Sequence, residues 1–495
     1  MKRTVVGYAQ KTIKVDLSKD TILNVFLTKN NVLQEVVVTA SPLEIGVKGT
    51  QMSAINVPVT QIKAVPALLG ETDVIKALQL LPGVQAGTEG FTGFYVRGGG
   101  PDENLFLLDG VPLYDINHLG GFFSVFNADA IKSVTLYKGG FPARFGSRLS
   151  SVVDIRIDTV VGDKNISSYE MIGYAEDNFN IGSHIKANLG LHYSAFSVQG
   201  KFYHSLQPRA SIRAMLTDNL SLKAGYSQMN QYIHLLSNNS ISLPTDLWVP
   251  VTKRIEPMIS HQVALGAFYN LKNIVDLSVE GYYKTMDNII EYKDGATFLN
   301  INTGWEDKVS TGRGWAYGVE LLAQKTIGKT TGWIGYTWAK SDRLFDRPGQ
   351  EINFGKVFPG KYDRRHDLSV VVSHKVSEKI DFAGTWVYSS GDCATLGLQN
   401  YAYDGFGLLN EGLSYIDSRN NYRKPAYHRL DLGINFHRKK KHGTATWNIS
   451  VYNVYNRNNP FFIYAGEKWG GYLPNGEYGS KKVLKQISKE SMMLL

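Results

Sequence analysis

The sequence has few of the residues on which disulfide-linked proteins and metalloenzymes depend. It contains a single cysteine, Cys393, in 495 residues, so it has no internal disulfide. The 11 histidines include no HExxH pair, and the cysteine has no CxxC partner. Neither a zinc site nor a thiol nucleophile is therefore predicted. We predict no catalytic residue, no metal site and no cofactor.

Long apolar runs are also missing. No stretch approaches about 18 consecutive apolar residues, which excludes a transmembrane helix. A membrane-spanning barrel is not excluded, because each of its strands needs only about 10 residues of alternating polarity. The mean hydropathy of −0.19 is compatible with such a barrel.

The amino-terminal residues lack the features of a secretory signal. Residues 1–17, MKRTVVGYAQKTIKVDL, include basic side chains but no continuous apolar segment and no small-residue cleavage site. If the chain is an exported barrel, we expect its start to be missing. The net charge of +9 is spread along the chain, with one short run at residues 438–441. We assign this run to a solvated turn and predict no nucleic-acid partner.

Aromatic residues and glycine are abundant, with 28 Tyr, 22 Phe and 49 Gly. This composition suits strands separated by turns, and tyrosine also suits the boundary between water and lipid. From about residue 169 onward, apolar and polar residues alternate with a period of two. We predict about a dozen strands of barrel length, among them 185–194, 209–216, 220–226, 259–271, 274–286, 313–325, 330–340, 366–375, 379–389, 428–437 and 444–454.

The predicted connectors alternate in length. Short ones at 217–219, 272–273 and 327–329 alternate with long ones at 229–258, 287–312, 341–365 and 390–427. A membrane barrel with tight turns at one end and long loops at the other has this layout.

Residues 71–155 follow a different pattern. Residues 73–81 (DVIKALQLL) predict a helix that Thr72 or Asp73 caps and that Pro82-Gly83 ends. Strands are predicted at 94–97, 105–108, 133–137 and 152–156, and Asp109-Gly110 predicts a hairpin turn. Residues 1–32 alternate as two or three short strands, which are too few for an independent sheet.

Several phrases in this region resemble the plug of TonB-dependent outer-membrane receptors. They are RGG at 97–99, LLDGVPL at 107–113, KGGFPARFG at 138–146 and SSVVDI at 150–155. Their order and spacing match the plug. A β-prone run before them resembles the box that such receptors offer to the periplasmic protein TonB, and it consists of Leu33, Gln34, Glu35, Val36, Val37, Val38 and Thr39. An extended segment of this kind can add a strand to a partner's sheet edge.

The resemblance implies a fold and a domain order. The fold is mainly β, with a transmembrane antiparallel barrel and a mixed α+β plug at its amino-terminal side. Residues 1–32 resemble the end of the carboxypeptidase-regulatory-like module of Bacteroidetes-type receptors. The box at 33–40, the plug at 41–157 and the barrel at 169–495 follow. The family has 22 strands where about 12 are found here, so we expect strands to be missing between about 157 and 169, and an open, curved half-barrel. The end of the chain lacks the terminal aromatic strand of such barrels.

The resemblance also implies roles for plug residues. Basic residues of the plug would face carboxylates of the barrel wall, and these are Arg97, Arg144 and Arg148. The turn-forming residues would be Gly98, Gly99, Asp109, Gly110, Gly139, Gly140 and Gly146. We predict that ligand contacts Tyr114, His118 and Trp248, for which a turn or loop role is the alternative.

The function implied is energy-coupled uptake at the outer membrane of a Gram-negative bacterium. The partners are TonB with its energising complex ExbB/ExbD, outer-membrane lipid and a surface lipoprotein. The small ligand, an iron–siderophore complex, cobalamin, a glycan or a peptide, is left open, and the chain could be a non-functional fragment. The alternative is a surface β-barrel for binding or adhesion without transport. No enzymatic activity is predicted, because no catalytic constellation is found.

Overall fold

The computed structural model describes most of the chain after residue 48. The described residues are 49–65, 73–87, 92–108, 110–114, 116–118, 123–126, 131–146, 148–157, 169–198, 200–236, 247–294, 296, 305–397, 399–401, 413–440, 443–460, 462–472 and 478–487. The predictions for residues 1–32, for the segment 33–40, for Asp109 and for the junction at 158–168 lie outside them.

Residues 49–157, called here the N-terminal region, form a small mixed unit. It contains helices α1 (Val59–Ala64) and α2 (Val74–Leu78), a 3-10 turn at Pro101–Glu103, and strands β1 (Ala54–Val57), β2 (Val84–Gln85), β3 (Tyr95–Val96), β4 (Asn104–Leu108), β5 (Val111–Leu113), β6 (Asn117–His118), β7 (Phe123–Ser124), β8 (Ile131–Tyr137) and β9 (Ser151–Ile157). Five strands pair in the order β1-β8-β9-β4-β5, with β4 and β9 parallel. The four strands predicted here are confirmed.

Helix α2 begins where the sequence predicts and ends earlier. Asp73 caps it, since Oδ1 accepts hydrogen bonds from the backbone N–H groups of Ile75 and Lys76 at 2.8 and 3.2 Å. The helix ends at Leu78, not at residue 81 as predicted. The residue before a proline is disfavoured in the helical conformation, so the chain leaves the helix ahead of Pro82.

The rest of the described chain is dominated by long strands. They are β10 (Tyr169–Ile181), β11 (Ile185–Val198), β12 (Lys201–Thr217), β13 (Leu220–Gln231), β14 (Ile233–Leu236), β15 (Leu247–Pro250), β16 (Met258–Leu271), β17 (Val275–Tyr292), β18 (Val309–Lys325), β19 (Thr330–Leu344), β20 (Phe358–Pro359), β21 (His366–Lys375), β22 (Ile380–Ser389), β23 (Cys393–Ala394), β24 (Gln399–Tyr401), β25 (Leu413–Tyr415), β26 (Tyr422–Arg423), β27 (Tyr427–Lys440), β28 (Gly443–Val451), β29 (Phe462–Tyr472) and β30 (Tyr478–Ile487).

Most of these strands belong to one antiparallel sheet, called here the long sheet. Within the described residues it has 13 strands, of which β20 pairs only with the end of β19. The other strands follow the order β10-β11-β12-β13-β16-β17-β18-β19-β21-β22-β27-β28. This sheet confirms the predicted strands and their number. Hairpin β29–β30 pairs separately.

The connectors of the long sheet confirm the predicted asymmetry. Residues 218–219, 272–274 and 326–329 form tight turns at one end, called the turn end. Long segments join β13 to β16, β17 to β18, β19 to β21 and β22 to β27 at the other, called the loop end. No helix in the described part of the chain is long and apolar enough to cross a membrane.

The N-terminal region packs on one face of the long sheet. Its apolar core includes Val74, Leu78 and Val134, and two residues of the sheet, Trp333 and Val371, join it. The Trp333 indole N–H donates to the carbonyl oxygen of Leu80 at 3.1 Å. The face that carries this contact is called the inner face of the sheet.

Candidate functional site

The long sheet is polar inside and apolar outside. On the inner face, the side chains of Glu280, Lys284 and Glu320 are buried. On the outer face, Leu265 is 65% exposed and Val279 is 43% exposed. A soluble protein buries its apolar residues, whereas a strand between lipid and a polar lumen shows the reverse. The candidate site is therefore the inner face and the N-terminal region that covers it.

Arg97 is the centre of a buried ionic contact between the two parts. Its guanidinium binds Glu320 of β18, with 2.7 Å from Nε to Oε1, and Glu280 of β17, with 3.3 Å from Nη2 to Oε2. It also lies 4.5 Å from the centre of the Tyr282 ring. Burial opposes the charge of Arg97, but the carboxylates outweigh it and hold the pKa of Arg97 above its ordinary value. The pairing of Arg97 with wall carboxylates expected from the resemblance is present.

Lys138 adds a second cation to the same contact. Its ammonium donates to the Glu320 carboxylate and, at 2.6 Å, to the carbonyl oxygen of Pro82. Burial lowers the pKa of Lys138 although Glu320 opposes that shift. The side chain of Ser53 donates to Glu280. Two cations and two carboxylates thus share one buried volume, which stabilises the contact only while all of them remain paired.

The glycine after Arg97 permits this close approach. Gly98 has a φ of +75°, and a Cβ there would lie 2.7 Å from the Cβ of Ala316 and 2.8 Å from Oγ of Ser341. The carbonyl oxygen of Gly98 accepts a hydrogen bond of 2.8 Å from Arg343 of β19. The RGG phrase therefore places a cation and a bare backbone against the sheet.

A second ionic contact lies nearer the loop end. Glu103 binds Lys284 of β17, with 3.0 Å from Oε2 to Nζ. The neighbouring Asp102 accepts hydrogen bonds from Gln231 Nε2 at 2.9 Å and from the backbone N–H of Leu235 at 3.3 Å. The 3-10 turn at Pro101–Glu103 is thereby joined to β17, β13 and β14.

The carboxyls of Asp102 and Glu103 have pKa values shifted in opposite directions. Burial, together with the charge of Glu103, raises the pKa of Asp102 to about 6. Burial acts on Glu103 in the same direction, but Lys284 and Arg343 outweigh it and hold the pKa of Glu103 below its ordinary value. The carboxyl of Asp102 therefore binds its proton more tightly than an exposed aspartate does.

The KGGFPARFG phrase contacts the first strands of the sheet. Arg209 of β12 donates to the carbonyl oxygens of Pro142, at 2.7 Å, and of Phe145. His192 Nδ1 lies 2.8 Å from the carbonyl oxygen of Ala143. A Cβ at Gly146 would lie 2.3 Å from Nε2 of His192, so only glycine fits.

The remaining predicted plug residues fall into four kinds of position. Arg144 is exposed, and its guanidinium lies 4.7 Å from the centre of the Phe145 ring; among the described residues it contacts the N-terminal region itself and not a wall carboxylate. Arg148 is buried, and its guanidinium lies 4.9 Å from the centre of the Tyr114 ring. The glycines at which a Cβ would meet neighbouring atoms closely are Gly99, Gly139 and Gly140. Gly110, at the predicted hairpin, has a φ of +84° and open space around it.

A cavity opens at the loop end between the N-terminal region and the sheet. This loop-end cavity has a volume of about 120 Å³. Three tyrosines, two cations and several carboxyls line it, among them Tyr95, Tyr292, Tyr362, Arg343, Lys361, Asp102 and Glu291. The rings of Tyr95 and Tyr362 lie with their centres 3.7 Å apart. Aromatic faces and charged groups together suit a polar ligand with a planar or ring-shaped part.

The ligand contacts predicted from the sequence lie elsewhere or outside the described side chains. Tyr114 is 38% exposed on the N-terminal region and does not line the loop-end cavity. His118 lies on β6 and Trp248 on β15, and their side chains are outside the described ones. No local pattern marks Tyr95, Tyr362 and Arg343 as ligand contacts, because they meet only through the fold.

Comparison with known proteins places these features in one family. A family model described as "TonB dependent receptor-like, beta-barrel" matches residues 85–456. No curated protein matches the sequence.

Two solved structures share the fold at low identity, and a third gives a weaker match. The FrpB iron transporter from Neisseria meningitidis (F3-3 variant) is 9% identical, with a TM-score of 0.54 over 83% of this chain and 96% of that chain. Its F5-1 variant in the apoprotein form is 9% identical, with a TM-score of 0.52 over 82% of this chain and 95% of that chain. The ferric-catecholate import receptor Fiu from E. coli K12, in its closed form, is 14% identical over 66% of this chain, with a TM-score of 0.39. The match spans 47% of the Fiu chain.

Proposed function

The chain belongs to the TonB-dependent receptor-like β-barrel family, and we propose that it is an outer-membrane receptor for energy-coupled uptake of a scarce ligand. The observation that carries this proposal is the N-terminal region packed on a polar inner face through buried ion pairs. The polar groups line the face that a barrel lumen would present, and the N-terminal region covers them with buried ion pairs that hold it in one position.

The domain order follows from this role. We assign residues 41–157 to a plug, residues 33–40 to the segment on which TonB with ExbB/ExbD acts, and residues 169–495 to part of the barrel. Residues 1–32 are assigned to the end of a carboxypeptidase-regulatory-like module of the Bacteroidetes type. The glycines and Arg97, Arg144 and Arg148 serve the plug structurally.

The ligand binds at the loop end. The loop-end cavity supplies aromatic rings and both signs of charge, and Tyr114, His118 and Trp248 are assigned to the surrounding surface that meets ligand first. An iron chelate is the first ligand to test, because the FrpB proteins that share the fold are named as iron transporters. Cobalamin, a glycan delivered by a surface lipoprotein, and a peptide are the alternatives.

Uptake by cells tests the proposal. The protein is expressed in the outer membrane of a Gram-negative host that lacks its own iron receptors, and a panel of radiolabelled ferric chelates, cobalamin and an oligosaccharide is offered. We expect saturable accumulation of one probe, its loss when the proton gradient is dissipated, and unchanged surface binding.

Deletion of residues 33–39 separates transport from binding. Accumulation should fall to the level of cells without the protein, while binding at the cell surface stays within about twofold. Binding of a probe that is never accumulated by the undeleted protein would favour the alternative, a surface-binding protein without transport. Loss of binding on deletion would contradict the coupling role of the segment.

A further inference from the structure

A second space lies between the N-terminal region and the sheet, on a different side from the ion pairs. This wall cleft has a volume of about 120 Å³. Lys76, Gln79 and Ala86 line it from the N-terminal region, and Thr385, Val387 and Ser389 line it from β22. A volume of this size holds several waters or one polar arm of a ligand.

The wall cleft contains polar groups that the protein leaves unsatisfied. Among the described residues, the hydroxyl oxygens of Thr385 and Ser389 have no hydrogen-bond partner, and these two residues are only 2% and 3% exposed. The Nε atom of Arg364 is buried without a partner as well. Buried polar atoms without partners cost free energy, so they mark a place where a polar guest gains hydrogen bonds.

The wall cleft adjoins the loop-end cavity. Gln85 lines the cavity and the next residue, Ala86, lines the cleft; in the same way Asp363 lines the cavity and Arg364 lines the cleft. The chain thus passes directly from one space to the other at two places, once in the N-terminal region and once in the wall.

Two contacts between the N-terminal region and the wall lie at this boundary. One is the tilted ring contact of Tyr95 with Tyr362, and the other is the hydrogen bond of 2.9 Å from Arg364 Nη2 to the carbonyl oxygen of Gly87. Neither is a buried ion pair, and Arg364 is only half-buried, so each contact parts without leaving a fully buried charge unpaired.

We propose that the wall cleft is a second ligand site, which receives a hydrophilic ligand after it leaves the loop-end cavity and before it passes the plug. The inference rests on the proposed function. In this proposal the ligand passes the plug on the side of β21, β22 and β27, while the ion pairs with β17 and β18 stay formed. Lys76 and Arg364 line the cleft together with Asp367, and Arg429 pairs with Asp431 at 2.8 Å, so the lining suits a neutral or anionic ligand that carries hydroxyl or carboxylate oxygens.

Thiol labelling tests the cleft without any ligand. Cys393 is first replaced by alanine, and Val387→Cys is compared with Ser227→Cys, which lies on the inner face of β13 with 0% exposure. Each variant, in the outer membrane, is treated with a negatively charged methanethiosulfonate. We expect Val387→Cys to react at least tenfold faster. Equal rates, or faster reaction of Ser227→Cys, would overturn the proposal that the cleft is open to hydrophilic molecules.

Uptake then tests the role of the cleft. Accumulation of the same panel of radiolabelled ferric chelates, cobalamin and an oligosaccharide is measured for Val387→Cys before labelling, after labelling and after removal of the label with a reductant. We expect at least a tenfold loss on labelling, recovery on reduction, and surface binding within twofold throughout. Because the adduct is added after folding, a folding defect does not produce this pattern.

The two proposals fail in different ways. Unchanged uptake by fully labelled Val387→Cys would overturn the cleft as a passage and leave the proposed function standing. Loss of surface binding in step with uptake would also overturn it, since the cleft would then belong to the first binding site. If neither the parent nor unlabelled Val387→Cys accumulates any probe of the panel, the proposed function is overturned.

Discussion

The N-terminal region meets the long sheet in two different ways. Toward β17 and β18 it buries Arg97 and Lys138 against Glu280 and Glu320, with further hydrogen bonds from the backbone. Toward β21, β22 and β27 it leaves a cleft in which Thr385 and Ser389 have unpaired hydroxyls. One side fixes the position of the region, and the other leaves room beside it.

The difference follows from the cost of separating each contact. Removing one partner of a buried ion pair costs about 3–5 kcal/mol, because a charge is left without compensation. A hydroxyl without a partner loses no hydrogen bond when the residues around it move. Substitutions on the ion-paired side are therefore expected to destabilise the region more than substitutions in the cleft.

Loss of the shared carboxylate gives the largest expected effect. Glu320→Ala leaves Arg97 and Lys138 short of a counter-charge, and we expect the N-terminal region to be destabilised by about 4–5 kcal/mol. Hydrogen exchange of its backbone amides in detergent measures this. Glu378→Ala is the control, since the pair of Glu378 with Lys439 is fully at the surface. Equal protection in both variants would mean that the ion pairs do not hold the region.

The ion pair between Glu103 and Lys284 is expected to contribute less, and its coupling energy can be measured by itself. Lys284→Met leaves Glu103 buried without its cation and should cost about 3 kcal/mol. Adding Glu103→Gln removes the stranded charge and should restore at least half of the loss. A double-mutant cycle from urea unfolding reads the coupling directly. Additive losses would show that the two side chains act independently.

The raised pKa of Asp102 predicts that the free energy of unfolding depends on pH. Its pKa of about 6 in the folded protein lies above the value of about 3.9 in an unfolded chain. The folded state therefore binds more protons between these values, and the free energy of unfolding falls as pH rises from about 4 to about 7. Asp102→Asn keeps an acceptor for Gln231 and Leu235 without the charge. It should flatten this dependence and add about 2 kcal/mol near pH 7.5.

Thermal unfolding in detergent between about pH 4.5 and pH 7.5 measures the effect. Parallel changes of the midpoint with pH in the parent and in Asp102→Asn would contradict the raised pKa of Asp102. Asp307→Asn is a suitable control, because Asp307 pairs with Arg254 at the surface.

The smallest effect is expected in the wall cleft. Thr385→Val removes a hydroxyl that has no partner and keeps the shape of the side chain, so the unfolding free energy should change by less than about 0.5 kcal/mol. Hydrogen exchange of the N-terminal amides, as for Glu320→Ala, gives the comparison. A loss of 2 kcal/mol or more, on the order of a broken buried hydrogen bond to a charge, would show that the cleft side also holds the region.

Local sequence patterns predicted much of the fold. The alternation in residues 220–226 predicted β13, and Asp73 predicted the start of α2, because both depend on neighbours along the chain. The end of α2 was predicted three residues too late, since the pattern of apolar residues continues through Leu81 after the helical hydrogen bonds stop.

The site was predicted in part. The phrase RGG identified Arg97 as a residue that faces wall carboxylates, but not which carboxylates, because Glu280 and Glu320 lie 183 and 223 residues away. Arg144, in a phrase of the same kind, stacks on Phe145 instead. Charge alone did not distinguish the two arginines.

By itself, the sequence determined the strands, their connectors and the phrases that mark a plug, because period-two alternation and turn residues act over a few positions. Only the tertiary structure decided which polar residues of the inner face receive a partner. That choice depends on the register of strands far apart in the chain, which places Glu320 under Arg97 and leaves Thr385 and Ser389 facing an open cleft.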